Sequence, residues 1–189
     1  MKSLRTISLL AVLATVVLAT PAAAEPTLAV YIGEDHYQRA SIPRVVPTNI
    51  YVYMEGTDDA ISAVEYKIDL PPELLVMSNT LYPGSLDAGT ANLGHALALG
   101  GCVPSYQVSF GHEPLLIQTI TVYSIGRFDG EPITLSPFQG YATPPATPQY
   151  ATCDGELLPL TPQNAILAVA NVPGVTVDND SDSWGAVKA

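Results

Sequence analysis

The chain has 189 residues and a formal net charge of −11, with 18 acidic residues against seven Lys and Arg. Nucleic acid and anionic membrane surfaces are therefore disfavoured as partners, because binding them relies on clustered basic side chains. The length is that of one domain and is enough to bury a sizeable core.

Residues 1–24 have the three-part layout of an export signal. Lys2 and Arg5 precede an apolar run over 7–18, and small alanines at 22–24 precede the expected cut. The alternative, an uncleaved membrane anchor, needs about 20 apolar residues to span a bilayer, and this run is shorter. We therefore expect cleavage after residue 24 and a secreted or periplasmic protein. Loss of the two basic residues would take its formal charge to −13.

Alternation of apolar and polar residues is the dominant pattern after residue 24. It is clearest over 61–70, where Val64, Tyr66 and Ile68 alternate with charged residues before Pro71 and Pro72 end the run. This period predicts β-strands with one buried face. Further strands are predicted at 27–32, 49–54, 74–77, 93–99, 105–110, 115–125, 132–135 and 165–170. The run 115–125 is more continuously apolar, which predicts a central strand covered on both faces.

Turn-forming clusters separate these runs, as at 56–59, 82–85 and 129–130, and no amphipathic helix of useful length is present. Many short strands between Gly and Pro turns are typical of an all-β protein. We predict one antiparallel β-sandwich over 25–177, jelly-roll or immunoglobulin-like, with a barrel as the alternative.

Two segments interrupt the alternation. Residues 143–149 are proline-rich and predict an extended, exposed loop that runs into Cys153. The end of the chain, 178–189, carries Asp178, Asp180 and Asp182 at alternate positions, which resembles the first half of an EF-hand or dockerin calcium loop. The turn glycine and the final bidentate Glu of such a loop are missing. The segment is therefore predicted to be a solvated acidic tail, with calcium binding as the alternative.

Cys102 and Cys153 are the two cysteines of the chain. In an oxidising compartment an even pair predicts one disulfide bond. The alternative, a pair of reactive or metal-bound thiols, lacks a CxxC spacing and a neighbouring His.

The sequence contains no motif that assigns a catalytic residue, a metal ligand or a cofactor. His36 follows Glu34 and Asp35, and His112 precedes Glu113, but neither pair has a ligand spacing that would make it specific. Both are predicted to be exposed loop residues, and His95 a tolerated strand residue. The segment 83–87 superficially resembles a serine elbow around Ser85 but lacks the second glycine.

Ten tyrosines raise the possibility of carbohydrate binding, since aromatic rings stack on sugars. Tyr66 and Tyr106 lie at core-facing positions of their predicted strands. We therefore predict core packing for most of the tyrosines.

The segment 61–76 resembles the third strand and following turn of cohesin-type modules of secreted bacterial proteins. The runs 115–122 and 132–135 are similar to the paired late strands of the same modules. The resemblance implies a jelly-roll sandwich and a non-catalytic role, because cohesins bind dockerins through one sheet face. No dockerin-binding residue is assigned, and the cysteine pair and proline-rich loop depart from the family pattern.

Two classes of function follow. The first is a secreted non-catalytic module for protein binding, adhesion or surface structure, whose partner is another protein or a surface polymer. The alternative is a secreted hydrolase whose site combines dispersed residues such as Asp87, His112 and Glu113. A deep pocket lined by several histidines or carboxylates would favour the hydrolase, and a flat exposed sheet face would favour binding.

Overall fold

A computed structural model describes residues 26–56, 60–104, 114–126, 128 and 130–167. Within them it contains strands β1 Thr27–Ile32, β2 Arg39–Ala40, β3 Thr48–Glu55, β4 Ala60–Asp69, β5 Leu74–Leu81, β6 Leu86–Asp87, β7 His95–Pro104, β8 Leu115–Ser124, β9 Pro132–Ser136, β10 Gln149–Thr152, β11 Leu157–Pro159, β12 Thr161–Gln163 and β13 Ala165–Leu167. No helix in the described part of the chain is long and apolar enough to cross a membrane. The predicted signal segment 1–24 and acidic tail 178–189 lie outside the described residues.

The strands form two sheets. The first sheet has the order β12-β1-β3-β8-β5, and the second has β11-β10-β4-β9-β13-β2, with β7 added on β4 and β6 on β7. Most pairs are antiparallel, and the parallel pairs β1–β12 and β2–β13 join short strands to this framework. The predicted all-β sandwich is therefore confirmed.

Alternating side chains explain how the two sheets pack. In β4, Val64 and Tyr66 are fully buried, whereas Glu65 and Lys67 are half-buried on the other face. In β3, the buried residues are Ile50, Val52 and Met54. These inward residues meet between the sheets in one apolar core, and its burial is the main favourable contribution to folding.

The predicted strands at 27–32, 49–54, 61–70, 74–77, 93–99, 115–125, 132–135 and 165–170 each overlap a strand of the structure. The run 105–110 lies outside the described residues. The prediction for the proline-rich segment is wrong at its end, because Gln149–Thr152 is a strand that pairs with β4. Pro148 is buried and Tyr150 is only 2% exposed, so this end belongs to the core.

The prediction for 115–125 is correct about its central place and wrong about its burial. Strand β8 lies between β3 and β5, as expected of a central strand. Only one face is covered, however, because Thr119, Thr121 and Tyr123 are half-buried on the outer side of the sheet. Threonine and tyrosine are favoured in strands for their shape, and this composition made the run look more apolar than it is.

Cys102 and Cys153 form a disulfide bond, with their Cα atoms 5.6 Å apart. Cys102 lies in β7 and Cys153 follows β10, and these two strands pair with opposite edges of β4. The bond therefore joins the two neighbours of β4 across its first residues. Closing a loop of this length contributes about 4 kcal/mol in the chain-entropy model.

Candidate functional site

One side chain with an amide group, Gln118, is buried between the two sheets. It is 1% exposed and projects inward from β8. Its Oε1 accepts a hydrogen bond from the Tyr66 hydroxyl at 2.8 Å, and its Nε2 donates to Asn79 Oδ1 at 2.7 Å. The same Nε2 lies 3.0 Å from His95 Nε2. Together with Asp87, these residues form what we call the interior cluster, which links β5 and β8 of the first sheet to β4, β6 and β7 of the second.

The hydrogen bonds assign the proton on His95. Because Gln118 Nε2 is a donor, His95 Nε2 accepts, and the ring proton is on Nδ1. Nδ1 donates to Asp87 Oδ2 at 2.7 Å. Partial burial raises the pKa of Asp87, but hydrogen bonds from His95 and from the Gly89 and Ala96 amides outweigh it, so the pKa lies below its ordinary value.

The interior cluster is unsuited to acid–base catalysis despite its Asp–His pair. Both ring nitrogens of His95 are bonded within the protein, and the His95 side chain is only 12% exposed. The Tyr66 hydroxyl is fully buried, and burial together with the charge of Asp87 raises its pKa. A catalytic base needs a nitrogen within reach of the substrate, and none is offered here. The cluster satisfies polar groups between the sheets instead.

The residues named for the alternative hydrolase are not brought together in the described structure. Asp87 belongs to the interior cluster, whereas His112 and Glu113 lie outside the described residues. The Ser85 hydroxyl donates to the Tyr82 carbonyl at 2.7 Å within a turn, so this serine stabilises the turn.

A second group of histidine, tyrosine and carboxylate side chains lies on the outer face of the first sheet. This surface cluster consists of Tyr31, His36, Tyr51, Tyr53 and Glu55. The Tyr53 hydroxyl lies 3.0 Å from His36 Nε2, and the Tyr31 hydroxyl donates to Glu55 Oε1 at 2.9 Å. The His36 ring meets Tyr51 and Tyr53 edge-on, with ring centres 5.2 and 5.1 Å apart.

A tight turn brings His36 to this cluster. Ile32 and Tyr37 pair across the turn, and Gly33 and His36 both have positive φ angles, of 74° and 55°. Histidine tolerates this conformation better than most residues do. Glu34, Asp35 and His36 are exposed, as the sequence predicts for a loop, but His36 also has a defined partner in Tyr53.

Partial burial raises the pKa values of Tyr31 and Glu55 in the surface cluster. Burial, reinforced by the neighbouring carboxylate, raises the pKa of Tyr31. Burial also raises the pKa of Glu55, although the hydrogen bond from Tyr31 and the charge of His36 act in the opposite direction. A carboxyl group with a raised pKa retains its proton at a higher pH than a solvated one.

The prediction that most tyrosines pack in the core is wrong for the described residues. Tyr66 and Tyr150 are buried, whereas Tyr31, Tyr37, Tyr51, Tyr53, Tyr82, Tyr123 and Tyr141 are half-buried or exposed. In β3 the aliphatic side chains occupy the inward positions, which leaves Tyr51 and Tyr53 on the outer face.

The outer face of the second sheet carries a row of apolar residues, with three alanines at its centre and a leucine at each end. Strand pairing places five residues side by side in the order Leu86, Ala98, Ala63, Ala151, Leu157. The inward neighbours Val64, Leu97 and Tyr150 are buried, so this row points to solvent. Leu86 is 75% and Leu157 is 51% exposed at its two ends. This alanine row is a flat apolar strip between two exposed leucines.

Neither the cavity nor the potential metal ligands of the described residues support the hydrolase alternative. A cavity of about 420 Å³ lies beside the 33–48 segment, and Asp35, Tyr37 and Arg39 are among its lining residues. It contains one carboxylate and no histidine, so it is not the pocket expected of the hydrolase. In the described ranges no three His, Cys, Asp or Glu side chains come together as potential metal ligands.

Sequence reasoning missed Gln118 and the alanine row. An amide in the middle of the apolar run 115–122 was a usable signal, because a polar group buried in a strand requires partners. The alanine row had no signal of its own, since it combines five strands whose register the sequence does not specify.

No family model and no curated protein sequence matches the chain. Among solved structures, it is similar to a non-cellulosomal cohesin from the archaeon Archaeoglobus fulgidus, with a TM-score of 0.55 and 14% identity over 78% of this chain and 93% of the cohesin.

Two further similar structures are cohesins solved in complex with dockerins. The sixth cohesin of Acetivibrio cellulolyticus scaffoldin B has a TM-score of 0.49 and 10% identity over 77% of this chain and 99% of that chain. The third ScaB cohesin of R. flavefaciens has a TM-score of 0.48 and 14% identity over 79% and 98%. The archaeal match shows that the fold is cohesin-like, as the sequence resemblance suggested, and at this identity it concerns the fold alone.

Proposed function

We propose that this protein is an exported, non-catalytic module that binds a protein partner through the outer face of its second sheet. The alanine row carries this proposal. Small side chains expose a flat sheet surface to a partner, and the flanking Leu86 and Leu157 supply apolar side chains for anchoring. Exposed apolar patches that are rimmed by polar residues mark protein interaction sites.

The surroundings of the alanine row add polar groups at its rim. Glu65 lies beside it on β4, and both of its carboxylate oxygens accept from the Tyr141 hydroxyl, at 2.7 and 2.8 Å. This hydrogen bond is the main cause that raises the pKa of Tyr141. An apolar centre with a polar rim is the usual arrangement of a protein interface. The resemblance to cohesins makes dockerins the first partners to test.

The test of this face uses immobilised protein and a panel of calcium-loaded dockerin modules, followed by exported proteins of the source organism. Ala98→Arg places a long charged side chain in the middle of the alanine row and should abolish retention of the bound protein. Thr119→Arg places the same long charged side chain on the outer face of the first sheet and should leave retention unchanged. Failure to retain any protein, or equal retention by Ala98→Arg, contradicts the proposed interface.

Export of the protein and cleavage of its signal segment belong to the same proposal. The signal layout over 1–24 and the disulfide bond support a protein that folds in an oxidising compartment, either periplasmic or extracellular. Intact-mass analysis of the exported protein should find Glu25 as the first residue. A full-length chain recovered from a detergent-free exported fraction would contradict cleavage.

A further inference from the structure

The outer face of the first sheet differs from the alanine row in its chemistry. One row of paired residues contains Tyr31, Tyr51, Thr119 and Thr80. The adjacent row contains Asn49, Thr121 and Ser78. All seven side chains are uncharged and carry a hydroxyl or amide group. The face therefore presents aromatic rings next to a ladder of hydrogen-bonding groups.

Internal hydrogen bonds hold this face in one arrangement. Thr121 Oγ1 donates to Asn49 Oδ1 at 2.9 Å, and Asn49 Nδ2 donates to the Tyr51 hydroxyl at 3.2 Å. His36 and Glu55 hold the hydroxyls of Tyr53 and Tyr31. Rings fixed in this way lose little freedom when a ligand covers them, which favours binding.

The charge of the chain limits the kind of ligand that this face can bind. The chain is strongly acidic, yet the two central rows are neutral; Glu34 and Asp35 lie in the exposed turn that carries His36, and Glu55 is the last residue of β3. An acidic polymer would be repelled by these carboxylates. A neutral sugar matches both features, because its C–H face carries the partial positive charge that ring faces attract and its hydroxyls bond to amide and hydroxyl groups.

We propose that the outer face of the first sheet binds a neutral polysaccharide, with the ring group of Tyr51, Tyr53 and His36 as the aromatic contact and Asn49, Thr119 and Thr121 as hydrogen-bonding groups. This site lies on the opposite side of the sandwich from the alanine row. One molecule can therefore hold a polymer on one face and a protein on the other.

Native affinity electrophoresis tests the site with the full exported protein. The gels contain soluble mixed-linkage β-glucan, dextran or polygalacturonate, so that two neutral polymers of different linkage are compared with an acidic one. We expect at least one neutral polymer to retard the protein and polygalacturonate not to. Tyr51→Ala should weaken this binding by about tenfold, since it removes one aromatic contact.

Two further variants distinguish the loss of a binding site from unfolding and from general effects of a surface substitution. Thr119→Glu adds a charge to the neutral face without removing a ring and should also abolish retardation. Tyr141→Ala removes an exposed tyrosine from the loop beside the second sheet and should retain full polysaccharide binding. Absence of retardation by both neutral polymers, or equal loss in Tyr141→Ala, would overturn the proposal. A wild-type dimer that Thr119→Glu dissociates would also overturn it, in favour of a second copy of the chain.

Discussion

The interior cluster and the surface cluster are built from the same kinds of residue and differ in burial. Each contains a histidine, a tyrosine hydroxyl bonded within the cluster, and a carboxylate. In the interior cluster Gln118 is 1% and Tyr66 is 0% exposed, whereas the rings of the surface cluster are at least partly open to solvent. Burial makes the hydrogen bond between Tyr66 and Gln118 obligatory, because water cannot replace it. The same chemistry is therefore structural between the sheets and available for binding on the outer face.

The largest effect is expected from Gln118→Leu, which removes the centre of the interior cluster. The variant leaves the Tyr66 hydroxyl and His95 Nε2 buried without their partner, and the Asn79 amide loses a donor. Unsatisfied buried groups cost about 1–3 kcal/mol each, partly relieved by relaxation. We expect the free energy of unfolding to fall by about 3 kcal/mol in urea titrations. Thr119→Ala, the outward neighbour, should cost far less, and equal losses in the two variants would refute the structural role of Gln118.

A matched pair of Tyr→Phe substitutions compares the clusters directly. Tyr66→Phe removes a buried hydroxyl donor and should reduce the free energy of unfolding by about 1–1.5 kcal/mol. Tyr53→Phe removes a hydroxyl that water can replace at the surface, and the expected loss is below about 0.5 kcal/mol. Thermal and urea unfolding of the two variants measure this difference. Similar losses, or a larger loss in Tyr53→Phe, would show that burial does not separate the two clusters.

The alternation of residue types that predicted the strands also indicated which face of the sheet the tyrosines lie on. In 49–55, Ile50, Val52 and Met54 share one phase, and Tyr51 and Tyr53 share the other. One phase must face the core, and the aliphatic residues are the better candidates. An outward aromatic face was therefore predictable, and it was missed because aromatic residues were assigned to the core by type.

Contacts between distant strands could not be read in the same way. Asp87 and His95 are close in sequence, but Gln118 reaches them only because β8 packs opposite β7 in the other sheet. The disulfide partners are separated by 51 positions, and they were predictable only because no third cysteine competes. Register and sheet order depend on the whole fold, so the sequence alone could not supply the alanine row.

Acid should destabilise the interior cluster through Asp87. Its folded pKa is lowered below the ordinary value of 3.8, so its stabilisation is present above that value and is lost as the pH falls through the folded pKa. The Asp87 side chain is 21% exposed and its hydrogen bond with His95 lies at the surface, so we expect the contribution to be below about 1 kcal/mol. The free energy of unfolding of Asp87→Asn should therefore change less between pH 7 and acid than that of the wild type. An acid dependence identical in both proteins would show that Asp87 does not contribute to it.

The smallest effect is expected from Glu55 in the surface cluster, and its sign is opposite. The folded pKa of Glu55 is raised above the ordinary value of 4.5, mainly by burial, so its contribution to stability is fully present below pH 4.5 and is lost as the pH rises through the folded value. Glu55→Gln removes the ionised carboxylate and still provides an oxygen that accepts from the Tyr31 hydroxyl. At neutral pH the variant should be as stable as the wild type or more stable. The gain in the free energy of unfolding should be below about 1 kcal/mol, because the Glu55 carboxylate is partly solvated. Below pH 4.5 the advantage should disappear. Urea titrations of Asp87→Asn and Glu55→Gln at the same series of pH values compare the opposite pH dependences of the two carboxylates. A loss of stability in Glu55→Gln at pH 7 would show that the hydrogen bond from Tyr31 outweighs the cost of burying the charge.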